Sequence, residues 1–74
     1  MTPYSNKDGK SGIAAYELGK GYIRVMFKSR DVYRYDHIRP GITAVSEMQA
    51  LAIAGRGLNS YIGKYVRKNF SLKE

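Results

Sequence analysis

The chain has 74 residues, 43% of them apolar and 26% charged, with a net charge of +7 and no cysteine. That length allows one domain, the balance is not that of a disordered chain, and the missing thiol excludes disulfides and thiolate metal sites, so folding rests on packing. No apolar run reaches the roughly 20 residues of a membrane-spanning helix, and 13 Lys+Arg against 6 Asp+Glu favour an anionic partner: nucleic acid, an acidic protein surface or anionic lipid.

Residues 1–12, MTPYSNKDGKSG, have no apolar stretch after a basic start. They do not read as a signal peptide but as a flexible leader, which makes the cytoplasm the expected location. Residues 13–18, IAAYEL, form a strand diluted by two alanines. The turn Gly19-Lys20-Gly21 follows, and glycine there supplies the positive φ of a tight hairpin. Residues 22–28, YIRVMFK, alternate strictly. Ile23, Val25 and Phe27 face the core, while Tyr22, Arg24, Met26 and Lys28 face away.

After Ser29-Arg30-Asp31, residues 32–38 give a third strand. A three-residue loop at 29–31 sets Phe27 opposite Tyr33, Val25 opposite Tyr35, Ile23 opposite His37 and Arg24 opposite Asp36. A two-residue loop would bring Arg34 and Asp36 among the core residues, and an unpaired buried charge is costly. Tyr33 and Tyr35 are therefore expected inside, with hydroxyls at the rim. Arg34 is then outside, beside Arg24, Lys28 and Tyr22.

Arg39-Pro40-Gly41 ends the sheet. Thr43 is the expected N-cap of a helix over 44–54, with Glu47 near its positive end and Val45, Met48, Leu51 and Ala52 as its apolar stripe. Gly55 is the natural stop. A second helix spans about 58–69, with Leu58, Ile62, Tyr65, Val66 and Phe70 at helical spacing and Lys64, Arg67 and Lys68 on the remaining surface. Residues 71–74 read as a tail. The fold class is thus α+β: a three-stranded antiparallel sheet with two helices on one face, forming a single domain over 13–70.

The pattern F-x-x-x-D-V-Y-R-Y at 27–35, the Pro-Gly at 40–41 and A-G-R-G-L-N-S-Y-I at 54–62 resemble the KTSC domain. This is a small bacterial module at the C-terminus of some lysyl-tRNA synthetases that also occurs alone. Tyr33, Tyr35, Gly55, Asn59 and Ile62 match its motif positions. The turn before the paired tyrosines departs from the glycine-containing form, and the stretch before the last helix reads Ala-Gly-Arg-Gly. The resemblance implies RNA binding and no enzymatic activity.

Two kinds of partner follow. The first is RNA or single-stranded nucleic acid, with Arg24, Lys28, Arg34, Arg56, Lys64, Arg67 and Lys68 on phosphates and Tyr22 stacking a base. The same residues are otherwise an ordinary solvated charged surface. The second is a protein: an acidic partner, in a host–virus setting for example, or another copy of the chain, joined at a strand edge over 13–18 or 32–38. Asn59 is expected as a buried hydrogen-bonding residue. His37 stands alone with no second imidazole or thiol, so no metal site or cofactor is expected. Serines and acids are present but no motif assembles them, so the chain reads as a non-enzyme.

Overall fold

A computed structural model describes residues 1–7, 9 and 11–74; Asp8 and Lys10, within the segment read as a leader, lie outside the described residues. The α+β class is as expected, but the antiparallel sheet has five strands where three were expected. They are β1 (Thr2–Pro3), β2 (Ile13–Gly19), β3 (Tyr22–Phe27), β4 (Val32–Asp36) and β5 (Leu72–Lys73), side by side in that order. Helices α1 (Ile42–Ala54) and α2 (Leu58–Tyr61) come between β4 and β5.

The β3 alternation does what its pattern requires. Ile23 and Val25 are fully buried, and with Tyr35 they meet Val45, Met48 and Ala52 of α1 and Leu58, Ile62 and Val66 beyond it. The β3–β4 register differs from the expected one. Phe27 N–H donates to Asp31 O and Arg30 N–H to Phe27 O, both at 2.9 Å. The three-residue loop is therefore Lys28–Arg30, one position earlier than 29–31. Arg30 takes φ +76°, the left-handed residue that closes this type of hairpin loop. Moving the loop by one residue shifts each partner by two. Faces are kept and pairs change: Val25 meets Tyr33, Ile23 meets Tyr35, and Arg24 meets Arg34 instead of Asp36. Side-chain pattern fixes only the parity of a register, so a two-residue error is invisible to it.

The third strand stops at Asp36, and His37 is exposed in a turn rather than inside opposite Ile23. Asp36 makes that turn. Its Oδ1 accepts from Ile38 N–H at 3.0 Å and Arg39 N–H at 3.3 Å, and its Oδ2 accepts from Arg34 Nε at 3.2 Å. Burial pushes the Asp36 carboxyl up, but the hydrogen bonds from Arg39, Ser71, Arg34 and Ile38 outweigh it and hold the carboxyl below its ordinary value. A carboxylate lowered in the folded state contributes stability above its unfolded pKa and loses it as pH falls through the folded value. Wild-type unfolding free energy should therefore drop on acidification through that range. Asp36→Asn should be less stable at neutral pH by about 1–2 kcal/mol and show a shallower acid limb. Equal acid slopes in urea titrations of the two proteins would remove Asp36 from this role.

Helix α1 begins earlier than expected. Its N-cap is Gly41, with φ +108° and no side-chain cap, and Thr43 is exposed within the first turn. No acid occupies that turn, so Glu47 lies too far along to serve it. The C-terminus is as expected: Gly55 N–H returns to Leu51 O at 3.0 Å and Ala52 O at 3.2 Å. The second helix is not regular over 58–69. After Tyr61 it widens into a π-helical turn, Ile62–Val66, closed by Arg67 N–H on Ile62 O at 2.6 Å. The four-residue spacing of Leu58, Ile62 and Val66 holds the core side, and Tyr65, expected in the stripe, is 69% exposed. Phe70 lies past the helix and packs on Tyr33, ring centroids 4.7 Å apart.

Both chain ends join the sheet. In the segment read as a leader, β1 pairs Thr2 with Tyr16 and Pro3 with Ala15. Tyr4 follows as a core residue, 7% exposed, its hydroxyl accepting from Leu58 N–H at 3.3 Å. In the segment read as a tail, β5 pairs Lys73 with Tyr33 and Leu72 with Arg34. Two-residue strands show no periodicity, so nothing local announces them.

Candidate nucleic-acid interface

The outward sheet face is built by the residues that alternate with the core. Tyr22, Arg24 and Arg34 lie there, as expected. Around them stand three carboxylates. Arg24 donates to Glu17 Oε1 at 3.0 Å and, through Nε, to Glu74 Oε2 at 2.7 Å, with a second bond to Glu74 Oε1. Arg34 pairs with Asp36. The Arg24–Arg34 juxtaposition is thus relieved on both sides, and these two cations face three acids. The Glu74 carboxylate bond raises Arg24 above its ordinary value, and that bond in turn lowers Glu74; Glu17 is lowered by the Tyr22 hydroxyl and by Arg24.

Tyr22 carries a cation over its ring. The Arg34 guanidinium carbon sits 4.2 Å from its centroid. The ring also crosses Gly19, its hairpin partner, so closely that a Cβ at Gly19 would overlap it. Its hydroxyl donates to Glu17 Oε2 at 3.0 Å, and that bond raises the phenol above its usual value. Lys28 is exposed in the β3–β4 loop.

The last helix is different. Arg56, Lys64, Arg67 and Lys68 are all exposed, and among the described residues none of them is in an ion pair. Tyr65 follows Lys64 and precedes Arg67 and Lys68 in the chain, and Tyr61 is tilted against it at a centroid distance of 4.9 Å. Tyr61 is half-buried and packs on the core, which anchors the pair. The π-helical turn carries this arrangement by rotating Tyr65 outward. Sequence periodicity treated Tyr65 as core, because an α-helical period was assumed through a segment that is wider than α. Gly63, inside that segment, was the available signal.

Of the motif positions, Tyr35 is buried and its phenol is pushed up to about 12 by that burial and by Tyr33. Tyr33 is half-buried against Phe27 and Phe70. Both rings face inward, as expected. Gly55 is buried at φ +78°, Ile62 is buried, and Asn59 is exposed rather than buried. Its place at the first turn of α2 points it to solvent. The strand edges expected as docking sites are partly covered, β2 by β1 and β4 by β5. No group of three metal-ligating side chains occurs among the described residues, and no helix among them is long and apolar enough to cross a membrane. A scan against protein-family models and searches of curated proteins and of solved structures find no match.

Proposed function

We propose that this chain is a small non-catalytic module that binds RNA or other single-stranded nucleic acid through the outward face of its last helix. Arg56, Lys64, Arg67 and Lys68 contact phosphates, and Tyr65, backed by Tyr61, stacks a base. The observation that carries the reading is an exposed tyrosine, 69% accessible, with the exposed cations Lys64, Arg67 and Lys68 within three positions of it in sequence and no carboxylate partner for them among the described residues. The implied RNA binding of the KTSC resemblance supports the same partner. Arg24, Arg34 and Tyr22 belong to a sheet network in which three carboxylates face the two cations, and have a structural role.

The test is a fluorescence-anisotropy titration with a labelled single-stranded oligonucleotide over a salt series. Four phosphate contacts give a log–log salt slope of roughly −3, at about 0.7 per phosphate of a single strand. Lys64→Ala, Arg67→Ala and Lys68→Ala together should weaken binding at least about tenfold and flatten the slope by about 2. Tyr65→Ala should cost about 1–3 kcal/mol of binding with the slope unchanged. A flat salt response, or equal losses from Arg24→Ala and the triple variant, would refute this site. Binding to an acidic protein with none to the oligonucleotide would reassign the partner.

A further inference from the structure

Among the described residues, three that are not glycine take positive φ: Asn6 at +53°, Arg30 at +76° and Arg67 at +33°. Asparagine tolerates that region because its short polar side chain bonds locally; arginine has no such means, and its Cβ crowds the following carbonyl. Both arginines are exposed, and neither is in an ion pair among the described residues. The acid next to Arg30 is engaged elsewhere: Asp31 accepts from Ser29 Oγ at 3.0 Å and lies 4.0 Å from Lys73 Nζ. Neither guanidinium therefore holds the fold through a carboxylate, although glycine or asparagine would suit both turns better. A backbone cost kept at an exposed position points to a task for the side chain.

The two turns rest on one aromatic cluster. The β3–β4 loop starts at Phe27, whose carbonyl accepts Arg30 N–H at 2.9 Å. The turn that ends the last helix at Arg67 runs on to Phe70. Phe27 and Phe70 both pack on Tyr33, with ring centroids 5.5 Å and 4.7 Å from its own. Three rings thus join the turn that carries Arg67, already placed in the proposed interface, to the loop that carries Arg30. From this we infer that Arg30 is a second phosphate anchor. A single strand seated on the last helix continues past the aromatic cluster to the β3–β4 loop, where Arg30 and the exposed Lys28 hold phosphates beyond the first site. The inference rests on the nucleic-acid reading above and lengthens its footprint.

The test is an anisotropy titration over salt with two labelled single strands, of about five and about twelve nucleotides, together with urea unfolding of each protein. The wild-type salt slope should be steeper on the longer strand by about 1.4, at about 0.7 for each of two further phosphates. Arg30→Asn should lose about half of that increment and at least about threefold in affinity for the longer strand. Its urea midpoint should stay level or rise, because asparagine accepts the left-handed conformation. Arg30→Lys keeps the charge and should keep the slope. Lys20→Asn removes the same charge from the β2–β3 turn, at the other end of β3, and should leave the slope as in wild type. A lower midpoint for Arg30→Asn would make Arg30 a structural residue. Equal slopes for wild type and Arg30→Asn, or an equal loss from Lys20→Asn, would remove it from the interface. Each of these overturns the inference while the shorter strand still binds; binding of neither strand overturns the nucleic-acid reading itself.

Discussion

Replacing Tyr4 by alanine is expected to lower the unfolding free energy by about 3–5 kcal/mol, as for a buried aromatic truncated in a core. A domain of 74 residues holds roughly 4–11 kcal/mol in total, at about 0.05–0.15 kcal/mol per residue. The variant should therefore lose between about a quarter and all of that stability, with a matching fall in its urea midpoint. Tyr4 packs edge-on against Tyr16, ring centroids 6.4 Å apart, and closes the core where β1 leads towards α2. Its hydroxyl also accepts the Leu58 N–H, one of the amide groups that the first turn of a helix leaves without an internal partner. Tyr4→Phe keeps the ring and should cost only about 0.5–1.5 kcal/mol, the worth of one such bond. Urea unfolding followed by far-ultraviolet circular dichroism separates the two variants. Wild-type stability in Tyr4→Ala would mean that the N-terminal segment does not close the core.

Gly55→Ala should be the next most damaging change, at about 2–4 kcal/mol. Gly55 lies at φ +78°, where a Cβ costs about 1–2 kcal/mol. The added carbon would also come 2.6 Å from Ser5 Cβ, closer than packed atoms allow. Gly55 O accepts Lys7 N–H at 2.7 Å, so any shift that relieves the overlap works against that bond. Gly57 provides the comparison. It too has positive φ, +83°, but the nearest atom to a built Cβ is Leu51 Cδ2 at 3.4 Å. Gly57→Ala should therefore cost mainly the backbone term, and the difference between the two variants isolates the contact with the N-terminal segment. Tyr4→Ala and Gly55→Ala both release that segment, so the double variant should fall short of the sum. Strict additivity would show that the two sites act separately.

Both predictions concern a segment that composition alone marks as a leader. MTPYSN has one large apolar ring and no repeat, and a single tyrosine gives no periodicity to read. What places it is the socket offered by Tyr16, Leu58 and the Gly55 cap, and these residues lie between 12 and 54 positions away in sequence. The candidate interface divides in the same way. That Arg24 and Arg34 share the outward face of the sheet was legible from alternation. That Glu74 joins them was not, because it arrives 50 residues after Arg24, and Asp36, expected opposite Arg24, pairs with Arg34 instead. Tyr65 was assigned to the core by an α-helical period that the π-helical turn does not keep.

From the residues alone come the three central strands, the inward set of their side chains, the glycine stop at position 55 and the surplus of positive charge. Each depends on local chemistry: alternation along a strand, the left-handed freedom of glycine, a count of ionisable groups. Tertiary structure alone decided the β3–β4 partners, the two edge strands at the chain ends and which cations remain without carboxylates. Those depend on residues far apart in sequence meeting in space, and a pairing that preserves side-chain parity leaves no trace in the pattern of a single strand.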